Sequence, residues 1–398
     1  MAFSRFSLAL FGAAMFSLPL ASLQAELPEG IVAEEPTTGR FVKVDEGYMV
    51  PYETTIPGTD VVFEMVPIPG GTCKIGSPST EPGRSEVEGP QFEVVVKPFW
   101  MGKYEITWAE YEAYMAIYDV FKSFEALDMR TVTDDKKVDA ITAPTKLYDP
   151  STTYQNGDDD KLPAVTMTQY SAKQYTKWLS LLKGQYFRLP SEAEWEYACR
   201  AGTTTPFYFG DDAEKLEENG YYYENGDYTT HLVGEKKPNP WGLYDMAGNV
   251  GEWTLDAYTE DGYLEFAGKT LTVEEAVKWP KSLYPRVIRG GWFDADASDC
   301  RSASRMPSED EDWKIDDPNF PLSPWWFTTE PATGIGFRIL RPLDKPSEKM
   351  KRLAWEMDVD SVKEDVGDRL DEGRGAEGYV DQALPKDIET MKEKLRGR

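Results

Sequence analysis

Gly242-Leu243-Tyr244-Asp245-Met246-Ala247-Gly248-Asn249-Val250-Gly251-Glu252-Trp253 is the stretch that decides how this chain reads. By itself it is a turn, Gly248 to Gly251, with an acid on either side. Four other stretches give it weight. Upstream lie Pro67-Ile68-Pro69-Gly70-Gly71-Thr72-Cys73-Lys74-Ile75-Gly76-Ser77, then Lys103-Tyr104-Glu105-Ile106-Thr107, then Arg188-Leu189-Pro190-Ser191-Glu192-Ala193-Glu194-Trp195-Glu196-Tyr197-Ala198. Downstream come Arg289-Gly290-Gly291 and, later, Gly336-Phe337-Arg338. A series in this order and spacing is far more specific than any single short motif.

Together the stretches resemble the formylglycine-generating enzyme family, also called the sulfatase-modifying factor domain, over roughly residues 61–343. The resemblance implies one loop-rich domain of a C-type-lectin-like variant fold. It also implies a structural calcium ion on Asp245, Gly248, Val250 and Glu252, the middle two through main-chain oxygen, because hard carboxylate and carbonyl oxygens suit that cation. A second calcium site is implied upstream, near Glu218-Asn219-Gly220 or Asn225-Gly226-Asp227.

In the family the chemistry is oxidation of a sulfatase cysteine by oxygen and copper(I), a soft ion held between two thiolates. Those cysteines follow the Gly-Gly pair. Here the segment runs Gly290-Gly291-Trp292-Phe293-Asp294-Ala295-Asp296-Ala297-Ser298-Asp299-Cys300. Cys300 matches the second cysteine, Ala295 stands at the first, and Trp292 replaces a serine. Copper of the family type is therefore not expected, and the candidate pocket is Trp292, Ala295 and Arg305 around Cys300. Asp294, Asp296 and Asp299 would raise the thiol pKa, the wrong direction for an activated thiolate. The iron-dependent sulfoxide synthases that share the domain need a histidine cluster, and this chain has one histidine.

Local patterns agree with an α+β domain. Short strands are expected at Val61–Ile68, Phe92–Val96 and Phe99–Glu105. Thr107 with Glu110, and Ser191 with Glu194, form capping boxes at the starts of two helices. A helix between them runs from about Thr168 to Lys183, with Gly184 as its stop signal. Residues 26–60 read as an arm or linker. Residues 125–162 read as a polar surface excursion, and 344–398 as a charged helical or flexible tail unable to bury a core alone.

The chain has 398 residues, 43 Lys and Arg against 70 Asp and Glu, and a net charge of −27. Such acidity, without a basic stripe, argues against nucleic-acid binding. His231, the single histidine, excludes multi-histidine metal sites and is assigned a structural role. Met1–Ala25 has the layout of a secretory signal, with an apolar run from Phe6 to Phe16 and a cleavage position after Ala25. No stable membrane insertion is expected after cleavage, so the destination is the periplasm or the exterior. Three cysteines allow at most one internal disulfide, and each reads best as a packed thiol.

The functional expectation is an exported member of this family that binds a protein, peptide or glycan beside Trp292 and Cys300. Trp100, Trp292, Trp325 and Trp326 are candidate platforms, since aromatic faces suit sugars and side chains alike. The alternative is an oxidase acting on sulfatases through an unconventional site at Cys300.

Overall fold

A computed structural model describes residues 27–147, 150–308 and 312–397. The expected signal segment lies outside the described residues.

The capping signals place the helices. Thr107 caps Trp108–Met115, its N–H donating to Glu110 Oε2 at 3.0 Å. Thr168 accepts from the Ser171 N–H ahead of Gln169–Lys183, which Gly184 ends at a φ of 69°. Ser191 and Glu194 exchange bonds at the start of Glu192–Arg200. Arg188 then grips Glu194 with two bonds of 2.7 Å, so this cap is charge-assisted as well. The first two of these helices meet through aromatic faces. Tyr111 and Tyr114 pack on Tyr175, and Phe337 closes the group from the last motif.

Four strands carry the deciding motif. Gly251–Ala257 pairs antiparallel with Arg286–Arg289 and parallel with Ile335–Gly336, while Met306–Pro307 extends the far edge. Register sets Glu252 opposite both Arg289 and Gly336, which brings three distant motifs side by side. Beside this sheet, Val62–Ile68 pairs with Phe99–Gly102, whose other edge takes Leu340–Pro342.

Residues 26–60 prove to be more than an arm. Ile31–Val32, Gly47–Met49 and Val42–Val44 form a three-stranded sheet, and Tyr52–Thr55 adds an edge to Val62–Ile68. Ile31, Met49 and Ile56 are buried. Strands of two or three residues are too short to show alternation, so the periodicity there is weak.

The expected tail is helical, the first of its two readings, and it is packed onto the core. Glu348–Trp355, Asp360–Asp371 and Leu384–Arg396 are helices, and Ala376–Tyr379 is a strand paired antiparallel with Ala140–Ala143. That second strand comes from the stretch read as a surface excursion, and all four of its residues are buried. Trp355, Val362, Val366, Val380 and Leu384 join the main core. Neither segment has enough apolar residues for its own core; each supplies what the other lacks.

Ion pairs fasten this addition. Asp358 accepts two bonds of 2.9 Å from Arg286 and one of 3.1 Å from Lys173, which is buried in the Gln169–Lys183 helix. Burial alone would raise the Asp358 pKa, but Lys173 and Arg286 outweigh it and hold the carboxyl down at about 2. A depressed carboxyl contributes stability above its unfolded pKa, and the contribution is lost as pH falls through the folded value. Wild type should therefore exceed Asp358→Asn by about 2–3 kcal/mol at pH 7, a gap that closes between about pH 4 and pH 2. Urea melts across that range would show it, and a gap independent of pH would refute the assignment.

Candidate functional site

The site grows from the end of the Arg286–Arg289 strand. Arg289 is fully buried and donates to Glu196 Oε2 at 2.6 Å and to the carbonyls of Ser302 and Ala303. It thus fixes both ends of the loop that follows. Gly290 and Gly291 take φ values of 102° and 70°, the left-handed region open to glycine. A Cβ on Gly291 would lie 2.5 Å from Cys300 Sγ, so the backbone runs directly over the thiol. Asn249 accepts the Phe293 N–H at 2.9 Å and Gly290 accepts that of Gly248 at 2.8 Å, locking the loop to the 248–250 turn. Arg301 anchors the far side, donating to Glu81 at 2.7 Å and Glu88 at 2.5 Å.

Within this frame the expected pocket separates. Ala295 and Cys300 are both buried. Burial raises the Cys300 pKa strongly, and Asp299 and Asp296 add to it. Burial also lifts Cys199 to about 11 and Cys73 to about 12. All three cysteines are free thiols, and none is poised as a thiolate. Cys199 Sγ lies 3.5 Å from Ser302 Oγ and 3.5 Å from the Met246 carbonyl, a packed polar contact. Ala295 offers no ligand atom. These residues do not fit a copper(I) pair.

Arg305 is not a pocket residue. Its guanidinium holds Glu192 through bonds of 2.6 and 2.9 Å and lies 4.4 Å over the Tyr263 ring. Its charge is directed inward, onto Glu192. Trp100, Trp325 and Trp326 are buried, each indole N–H bonded to the protein, so they are core rather than platforms. Trp292 alone of the four is only partly buried.

The loop that carries Trp292 lies against a tyrosine-rich turn. The Tyr223 N–H donates to the Ala295 carbonyl at 3.0 Å, seating the Tyr221–Tyr223 turn against the loop. Tyr223 and Tyr228 are 49% and 66% exposed and meet edge to face at 5.9 Å. Asp294 and Asp296 are exposed beside them. These tyrosines escaped notice in the sequence because nothing local marks them as neighbours of residue 292.

The expected calcium residues form a different device. Glu252 accepts from Arg338 Nε at 2.8 and 2.6 Å, from Arg338 Nη2 at 2.5 Å, and from the Trp195 indole at 2.7 Å. Asp245 takes the Gly234 N–H on Oδ2 at 2.7 Å and leaves Oδ1 buried without a partner. Burial raises its pKa to about 6. Glu105, unassigned in the sequence, accepts the Val250 N–H at 3.0 Å and the Asn249 amide at 2.7 Å. Burial pushes its pKa well up, with Asp245 and Glu252 adding to the shift. As arranged, Glu252 does not fit a calcium ion: its oxygens are committed to Arg338, the cation present at this point. Among the described residues no group of three or more His, Cys, Asp or Glu side chains converges as a metal site.

The upstream calcium candidates are equally engaged. Asn225 Oδ1 accepts the Tyr222 N–H at 2.8 Å, and Glu218 pairs with Lys237. His231 stacks on Tyr221 at 3.6 Å and meets the Gly226 carbonyl at 3.0 Å, a structural role as expected.

Comparison with known proteins follows the same line. The family model for the sulfatase-modifying factor enzyme 1-like domain matches residues 54–316. The chain is 28% identical to the formylglycine-generating enzyme of Bos taurus over 271 residues, 60% of this chain and 67% of that protein. It is 30% identical over 284 residues to a Chlamydia pneumoniae protein named serine/threonine-protein kinase pkn1, covering 70% of this chain. The match spans only 39% of that relative's length. Among solved structures, PvdO from Pseudomonas aeruginosa superposes with a TM-score of 0.51 at 28% identity, over 72% of this chain and 97% of that one.

Proposed function

Given that the chain belongs to the sulfatase-modifying factor enzyme 1-like domain family, we propose that it is an exported, non-copper member that binds a protein, peptide or glycan on the face of Trp292, Tyr223 and Tyr228. The observation that carries this reading is the pairing of a buried, protonated Cys300 with Ala295 where the family chemistry needs two thiolates. The partly buried indole and the two exposed phenols remain as the open chemistry of that face. Their flat surfaces suit sugar rings and apolar side chains, and the flanking aspartates favour a neutral or cationic ligand. Export rests on the Phe6–Phe16 apolar run and the Ala25 position. Among the described residues no helix is long and apolar enough to cross a membrane.

The second reading is oxidation of a sulfatase cysteine at Cys300, favoured only by the 28% identity to formylglycine-generating enzyme. One assay separates the two. The chain from Glu26 receives copper(I), oxygen and an unfolded sulfatase-type cysteine peptide, beside a Cys300→Ala variant, and aldehyde is followed by mass spectrometry. We expect no aldehyde from either. Conversion that vanishes in the variant would establish the oxidase and overturn the proposal. The binding face is tested by titrating tryptophan fluorescence with that peptide and with a neutral oligosaccharide. Saturable quenching by either, lost in Trp292→Ala, supports the site; no quenching, or quenching unchanged in the variant, rejects it.

A further inference from the structure

The C-terminal addition builds a second recessed surface, remote in sequence from the family motifs. A groove of about 1080 Å³ runs between the C-terminal end of the Gln169–Lys183 helix and the segment from Pro342 to Glu356. That segment lies beyond the family match, whereas the opposite wall, Lys137–Asp139 and residues 180–186, lies within it. Its floor is apolar: Leu181, Tyr186, Leu343 and Trp355 line it. Tyr186 and Trp355 pack with ring centroids 5.0 Å apart. Val138, 72% exposed, stands at the rim.

The charges around this floor are unevenly spent. Of the acids that line it, Asp344 is paired with Lys97 at 2.7 Å, Glu348 with Lys351 at 2.8 Å, and Glu356 with Lys177 at 2.7 Å. Asp139 is the fourth acid and has no such pair. Four exposed cations, Lys137, Lys345, Lys349 and Arg352, line the same groove without an ion-pair partner among the described residues. On a chain with a net charge of −27, an apolar floor ringed by unpaired cations is a local inversion of sign. Such a surface attracts anions while the rest of the molecule repels them.

We propose that this groove is a docking site for an acidic peptide segment of a partner protein, with apolar side chains on the floor and carboxylates on the lysine and arginine rim. The walls favour peptide over glycan. Leu181, Leu343, Pro342 and Pro346 supply aliphatic surface, and Trp355, the one indole present, is only 9% exposed and so offers no open platform for a sugar. Flexible lysines around an apolar floor suit alternating apolar and acidic residues.

The test uses the chain from Glu26 and a short fluorescein-labelled peptide of alternating glutamate and leucine, followed by anisotropy. A lysine–leucine peptide and labelled heparin serve as the other probes. We expect saturable binding of the acidic peptide that weakens between about 50 and 200 mM salt. Replacing Lys345, Lys349 and Arg352 together by Glu should weaken it at least about tenfold, and the exposed-site variant Val138→Asp by about threefold or more. None of these four positions is buried, and circular dichroism would confirm that the variants fold. Equal binding of the lysine–leucine peptide, or acidic-peptide binding indifferent to the charge reversal, would overturn the proposal. So would heparin binding tighter than the peptide and lost on reversal, which would make the groove a glycan site. Trp292→Ala should leave this binding unchanged, so the outcome is independent of the ligand face proposed above.

Discussion

A chain ended at Leu343 is expected not to fold. Loss of the segment beyond it would uncover the Ala140–Ala143 strand and the face of the Gln169–Lys183 helix that meets Glu348–Trp355, and would strip Trp355, Val362 and Val366 from the core. Each fully buried large apolar side chain contributes roughly 1.5–3 kcal/mol. A handful therefore exceeds the ~5–15 kcal/mol by which domains are usually stable. Electrostatics acts in the same direction. Lys173 and Arg286 would both lose Asp358, leaving two neighbouring cations without their shared counter-charge. The measurement is expression of residues 26–343 beside the full chain, with near-UV circular dichroism and thermal melting. A truncated protein with a sharp melt and native near-UV signal would show that the family domain stands alone and that the addition is an ornament.

Arg338→Met should be nearly as severe. Among the described residues the guanidinium is the one cation paired with Glu252, and it also donates to the carbonyls of Gly102 and Tyr244. Without it, Glu252, Glu105 and Asp245 would share a buried space with no counter-charge. Removing one partner of a buried pair typically costs about 3–5 kcal/mol, because the other charge is stranded. The acids would then fold only when protonated. Stability carried by carboxyls of raised pKa is present at low pH and lost as pH rises through the folded pKa. The variant should therefore lie further below wild type at pH 8 than at pH 5. Adding Glu252→Gln should recover part of the loss, since the amide oxygen can still accept the Trp195 indole N–H. Thermal melts of the single and double variants at both pH values decide it. A single variant within about 1 kcal/mol of wild type at pH 8 would refute the role.

Legibility in the sequence followed the distance over which a residue finds its partner. Thr107 answers Glu110 and Ser191 answers Glu194 three residues away, so those helix starts could be read directly. Glu105 sat in plain view within a motif, yet its partners are Asn249 and Val250, and nothing near residue 105 announces them. Glu252 was read as a calcium ligand because a carboxylate beside a glycine turn suits that ion; the cation it meets lies at Arg338. Trp325 and Trp326 looked like platforms for the same reason, since residue type alone does not encode exposure. Ala295 in place of a cysteine needed no geometry at all. An absent ligand atom is visible in sequence, whereas a present one must still be placed.

The pairing of Ala140–Ala143 with Ala376–Tyr379 also bears on synthesis. Ala143 leaves the ribosome more than two hundred residues ahead of its partner. At about 5–20 residues per second, that strand waits on the order of ten to fifty seconds with its ladder incomplete. For this chain the native core cannot close until residues 376–391 have been made, because they complete it. A nascent chain short of residue 376 therefore presents the buried face of Ala140–Ala143 without its cover.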